Sequence, residues 1–128
     1  MKRNKFSLRN RLESFKYAIN GLKLLIKFEH NSRIHLATLV FVTFLGFILK
    51  ISNLEWITIL IVSAFVFSNE IINSAIEYLS DFISPNYNEI IKKVKDLSAA
   101  AVLISAIVSV IIAFIIFLPK IIKICLNY

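Results

Sequence analysis

Three carboxylates, Glu70, Glu77 and Asp81, stand seven and eleven residues apart, with Asn73 and Ser74 between them. On a helix turning 100° per residue, Glu77 lies about 20° to one side of Glu70 and Asp81 about 20° to the other. One helix face therefore carries all three, directly after an apolar run that extends from Trp56 to Ser68. A carboxylate close to hydrocarbon is costly unless it is paired, bound to a cation or reached by water, so Glu70 and Glu77 are candidates for function. An oxygen-rich cluster of this kind suits magnesium, which one or two carboxylates hold together with substrate phosphates. A metal–nucleotide complex would neutralise the face. Glu29, just before one apolar run, and Lys95 and Asp96, just before another, are further candidates. A purely structural reading stands beside this one: Asn and Glu side chains can hydrogen-bond across a helix bundle, and Asp81 can lie far enough out to be solvated.

These residues need helices to position them. From about residue 7 to 27, Leu8, Leu12, Phe15, Ile19, Leu22 and Ile26 recur at steps of four and three, with Arg9, Lys16, Lys23 and Lys27 on the rest of the wheel. This predicts an amphipathic helix, either lying in the headgroup layer or packed on the rest of the chain. Gly21 marks a bend or a tight contact. Ile34–Leu49 carries no formal charge apart from a possible one on His35, and at 1.5 Å per residue it nearly spans a hydrocarbon layer of roughly 30 Å. Lys50, Ser52, Asn53 and Glu55 form a polar break, where Asn53 is the expected N-cap and Glu55 suits the first turn. Trp56 then sits where an interfacial aromatic belongs. A second span is expected over about residues 56–79, polar in its second half, and Ser84-Pro85-Asn86 should end it. A third, over residues 97–118, is uncharged and expected to end at Pro119. Ser98, Ala99, Ala100, Ala101, Ser105, Ala106 and Ser109 crowd its first half, where small side chains allow close helix approach in lipid.

The composition agrees with an all-α membrane protein. The 128 residues are 58% hydrophobic with two glycines and two prolines, the apolar residues fall in blocks, and one domain over 1–128 is expected. The net charge of +7 could point to nucleic acid, but no nucleic-acid module is recognisable and the basic residues gather beside apolar runs. Residues 1–33 and 82–96 carry 12 of the 15 Lys and Arg, so a three-span topology puts them on the cytoplasmic side, with the N-terminus inside. No segment reads as a cleaved signal. Cys125, the only cysteine, excludes an internal disulfide and receives no role. His30 and His35 read as interfacial or packing residues. A GxxxxGK[ST] loop, a kinase glycine-rich loop and a G-x-S-x-G elbow are all missing, which excludes the standard soluble nucleotide folds.

The run Asn69-Glu70-Ile71-Ile72-Asn73-Ser74-Ala75-Ile76-Glu77, with Asp81 four residues on, resembles the signature of the bacterial integral-membrane diacylglycerol kinase and undecaprenol kinase family. Glu29-His30-Asn31-Ser32-Arg33-Ile34-His35 resembles that family's segment before its first span, and Lys95-Asp96-Leu97-Ser98-Ala99-Ala100-Ala101-Val102-Leu103 the start of its third. The resemblance covers roughly residues 12–118. It implies a homotrimer of three-span subunits with a surface helix, located in the cytoplasmic membrane, with active sites between neighbouring subunits. It also implies ATP and magnesium as donor and cofactor, and a membrane lipid alcohol, diacylglycerol or undecaprenol, as acceptor. On that resemblance Glu70 is the general base, Glu29 and Glu77 hold the metal and contact the nucleotide, and Asn73, Lys95 and Asp96 complete the nucleotide site. Two departures from a simple carry-over remain: Ala100 stands where family members often have glycine, and Arg9 and Arg11 both fall near the family's nucleotide-side arginine.

Two other classes fit parts of the pattern. A small ion-coupled transporter could use Glu70 and Glu77 as a relay, but would need polar access from both sides. A non-catalytic assembly protein would use the small-residue face and leave the carboxylates without a task.

Overall fold

The protein is described from a computed structural model covering residues 8–126, with side chains from residue 11 onward. The expected helix start at Ser7 and the side chain of Arg9 lie outside the described residues. Four helices follow in order: α1 (Leu8–Phe28), α2 (His30–Ile48), α3 (Asn53–Ile83) and α4 (Glu89–Leu126). The last three are long and apolar enough to cross a membrane. Among the described residues there is no strand.

A single extended residue, Glu29 (φ −93°, ψ 116°), separates α1 from α2. The last carbonyls of α1, which have no partner within their own helix, are covered by Arg33 of α2: its Nε donates to Ile26 O at 2.9 Å and its Nη2 to Lys27 O. That side chain fixes the angle at which α1 leaves the bundle. α1 packs on α2 and α3, and among its described side chains only Leu25 is buried. The apolar stripe read from the sequence, Leu12, Phe15, Ile19, Leu22 and Ile26, is exposed, so packing on its own chain is not what that stripe does.

α2 ends in a Schellman arrangement. Lys50 takes the left-handed conformation (φ 50°), its N–H donates to Phe47 O, and Ile51 N–H donates to Gly46 O at 3.1 Å. The expected N-cap at Asn53 is corrected to Ser52. Its hydroxyl accepts from Glu55 N–H while the Glu55 carboxylate accepts from Ser52 N–H at 2.6 Å, a capping box that Asn53, one residue later, cannot form. The turn returns Trp56 onto Gly46. A β-carbon at residue 46 would lie 2.8 Å from Trp56 Cη2 and 3.0 Å from Ile51 Cδ1. Trp56 is also packed against Phe47, with ring centroids 4.9 Å apart, and has little room to yield. Gly46→Ala should therefore destabilise: overpacking of about 1–3 kcal/mol exceeds the gain of about 1 kcal/mol in helix propensity. A lowered thermal midpoint in detergent is the expected readout, and an unchanged one would contradict this contact.

α3 stops at Ile83, before Pro85, and α4 starts under an Asn88 cap whose Oδ1 accepts from Ile90 N–H and Ile91 N–H. The expected end at Pro119 is corrected, because α4 continues through it to Leu126. In an apolar layer no water receives backbone groups freed by breaking the helix, so continuing it satisfies more of them than stopping would. Lys120 also ties this turn to the start of α3 by an ion pair with Glu55 at 3.1 Å. At 1.5 Å per residue α3 is about 46 Å long and α4 about 57 Å, longer than a hydrocarbon layer, so their ends reach beyond it. α3 and α4 form the main pair, and Ile51, Ile59, Ile116 and Phe117 make the small core near one end of the bundle. Most other large apolar side chains are exposed, as expected of surface turned to lipid or to partner helices.

Candidate active site

At the opposite end of the bundle, α3 turns its polar second half toward α2 and α4. Glu70, Asn73 and Glu77 line one cleft of about 330 Å³, together with Asn31 and His35 of α2 and Ala99, Val102 and Ala106 of α4. The alanines matter here, since small side chains on α4 leave the space that the carboxylates border. Glu70 is 1% exposed and Glu77 half-buried. Buried carboxylates are normally paired or fully hydrogen-bonded, yet Glu70 Oε2 has no hydrogen-bond partner, and neither do the buried hydroxyls of Ser32 and Ser74. Ser32, His35, Glu29 and Glu77 are the polar neighbours of Glu70.

Asn73 is held from both sides. Its Nδ2 donates to Glu77 Oε1 at 3.1 Å, and its Oδ1 accepts from Ser98 Oγ at 2.7 Å. The Ser98 hydroxyl also lies 3.0 Å from Lys95 O. This fixes the amide orientation, and through it one oxygen of Glu77. The sequence marked Ser98 as one of several small residues and as part of the family-like run after Lys95, without a role; its place three residues after Lys95 puts it on the helix face beside that lysine. Glu29, at the α1–α2 break, is half-buried and interacts with Tyr78, on which Glu77 also acts. Glu29 and Glu77 thus flank one region, one from the α1–α2 break and the other from α3.

Lys95 and Asp96 lie elsewhere. Both line a second cleft, at the α3–α4 loop, with Asp81, Tyr87, Asn88 and Lys92. Lys95 pairs with Asp81 across the helices at 2.9 Å, and Asp96 with Lys92 within α4. The three carboxylates expected on one face are therefore divided: Glu70 and Glu77 border the first cleft, Asp81 the second. On the other side of His35, which also borders the Glu70 cleft, a narrow space of about 90 Å³ runs toward the core between Val42, Ile59, Val66 and Ala113 and is almost wholly apolar.

The donor set fits a hard divalent cation, since Glu29 and Glu77 offer carboxylate oxygens. No group of three or more His, Cys, Asp or Glu side chains among the described residues forms a complete metal cage. An incomplete set suits an ion that brings phosphate oxygens with it.

A bundle of long apolar helices, with buried acid and amide groups concentrated toward one end, defines a multi-span membrane protein with a polar cleft between its helices. Comparison with known proteins gives that class its family. Residues 16–117 match the family model described as prokaryotic diacylglycerol kinase. An undecaprenol kinase from Bacillus subtilis (strain 168) is 36% identical over 108 residues, covering 84% of this chain and 88% of the relative. A diacylglycerol kinase from Synechocystis sp. is 32% identical over 115 residues, covering 89% of this chain and 66% of the relative. The chain belongs to the prokaryotic diacylglycerol kinase family and is a lipid kinase.

Proposed function

We propose that the protein transfers the γ-phosphate of ATP, with magnesium, to the hydroxyl of a membrane lipid alcohol, diacylglycerol or undecaprenol, at the cytoplasmic face of the bacterial inner membrane. The observation that carries this reading is Glu70: a fully buried carboxylate with an unpaired oxygen, bordering a cleft that also holds Asn73 and Glu77. Glu70 accepts the proton of the lipid hydroxyl as the alcohol oxygen bonds to the γ-phosphorus, the bond to the β-phosphate oxygen breaks, and ADP leaves. Glu29 and Glu77 hold magnesium, which supplies charge neutralisation on the phosphates when bound. Asn73 keeps Glu77 in place, and Lys95 and Asp96 complete the nucleotide site. Such a reaction needs little covalent help from the protein beyond positioning and electrostatics.

The working unit in this reading is a single membrane-embedded domain assembled as a homotrimer, with α1 on the membrane surface and the N-terminus cytoplasmic. The exposed apolar stripe of α1 with its exposed Lys16, Lys23 and Lys27, and the asymmetry of basic residues between the two ends, support that arrangement. The apolar character of the space beyond His35 counts against a relay open to both sides of the membrane.

The test is transfer of labelled phosphate from ATP to diacylglycerol and to undecaprenol in detergent micelles. Lipid phosphate should form with magnesium, stop on chelation and return when magnesium is restored. Failure with both lipids in folded, oligomeric protein overturns the proposal.

A further inference from the structure

Asp81 was singled out by its spacing, yet the kinase reading gives it no task. In the structure it sits one turn beyond Glu77 at the end of α3, and its Oδ1 is 2.9 Å from Lys95 Nζ. The other lysines of this segment are paired within their own helix, Lys92 to Asp96 and Lys93 to Glu89, so only Lys95 reaches across to α3. It lines the loop cleft with Asp81 and is absent from the lining of the Glu70 cleft, although the charge of Glu77 also acts on it. Lys95 therefore stands between two carboxylates and is engaged by the outer one.

We propose that Asp81 is a positioning residue, the counter-ion that holds Lys95 outside the Glu70 cleft until nucleotide phosphates displace it. This rests on the kinase reading, in which Lys95 serves the phosphates. The pair suits exchange because both side chains keep contact with solvent, at 36% and 67% exposure, and a pair of this kind is weak. A triphosphate with its metal offers Lys95 several charged oxygens in place of one carboxylate. Lys95 would then be available before nucleotide arrives without pulling Glu77 out of its bond to Asn73.

The experiment measures equilibrium binding of magnesium with the β,γ-imido analogue of ATP, on the full chain in detergent, for the wild type, Asp81→Asn, Lys95→Met and the double variant. Asp81→Asn should tighten binding about two- to fivefold, the scale that a weak exposed pair permits, and lower the KM for ATP by the same factor at unchanged kcat. In the Lys95→Met background the same change should do nothing. Weaker binding or a fall in kcat in Asp81→Asn would mean that the pair persists in the nucleotide complex, and overturns the proposal. Equal tightening with and without Lys95 would reduce the effect to the loss of one nearby negative charge, and overturns it too. No change in Asp81→Asn leaves the pair without a role and is equally fatal. If the wild type binds no nucleotide, the kinase reading falls together with this one; if it binds and transfers phosphate, only the role of Asp81 is decided by the variants.

Discussion

Glu70→Gln should lower kcat for phosphoryl transfer to lipid by about 10²–10⁴-fold, the range that a positioned general base contributes, while leaving the KM for ATP nearly unchanged. Glutamine keeps the shape of the side chain in its 1% exposed position, so the cleft is preserved and only the proton-accepting oxygen is removed. Stability should be unchanged or higher, because a buried ionisable group with an unpaired oxygen is exchanged for a neutral one. That combination, lost turnover with an intact or raised thermal midpoint, separates a catalytic role from a structural one. Were Glu70 merely a bundle hydrogen-bonding residue, glutamine could serve as well, and full activity in the variant would remove it from the mechanism. Glu70→Asp sharpens the test. It retains the charge but withdraws the carboxylate by one carbon–carbon bond, and small misplacements of a reacting group cost about 10²-fold. Activity near wild type in the aspartate variant would mean that proton acceptance at this position is not geometrically demanding.

The sequence was most legible where periodicity speaks directly. Long apolar runs predicted the membrane-crossing helices, because the hydrocarbon thickness sets their length, and the seven-residue spacing of Glu70 and Glu77 put both on the side of α3 that borders one cleft. Local rules were less decisive where two residues competed for one role. Ser52 and Asn53 are both good N-caps, and Glu55 three residues after Ser52 was the signal that separates them. Pro119 misled because proline's effect on an isolated helix is opposed in lipid by the lack of any other partner for the backbone, and by the Lys120–Glu55 tie. Least legible were contacts set by how α3 and α4 pack. Nothing local in the sequence says that Ser98 reaches Asn73, 25 residues away, or that Lys95 meets Asp81 rather than Glu77. Arg33 over the end of α1 is of the same kind, since the bend at Glu29 creates the position it fills.

Lys95→Met should reduce kcat about 10²–10³-fold, comparable to removing one preorganised donor to a developing negative charge. It should also weaken binding of the magnesium nucleotide analogue by about 10–100-fold, since a hydrogen bond to a charged group is worth about 1.5–3 kcal/mol. The neighbouring lysines cannot replace it. Lys92, although it borders the same cleft, is paired with Asp96, and Lys93 with Glu89, and both are more exposed than Lys95, at 59% and 68% against 36%. Methionine preserves the apolar stem, so the loss concerns charge rather than packing. Folding should hardly respond, because the exposed pair with Asp81 contributes less than about 1 kcal/mol. Lys95→Arg is the informative companion: it restores the charge, but a planar fork replaces a compact ammonium that must move between Asp81 and the phosphates. Its expected kcat lies between those of the wild type and the methionine variant. If arginine restores full turnover, the demand on residue 95 is simply positive charge; if methionine retains wild-type turnover, the cation serving the phosphates lies on another residue, and the loop cleft is not part of the active site.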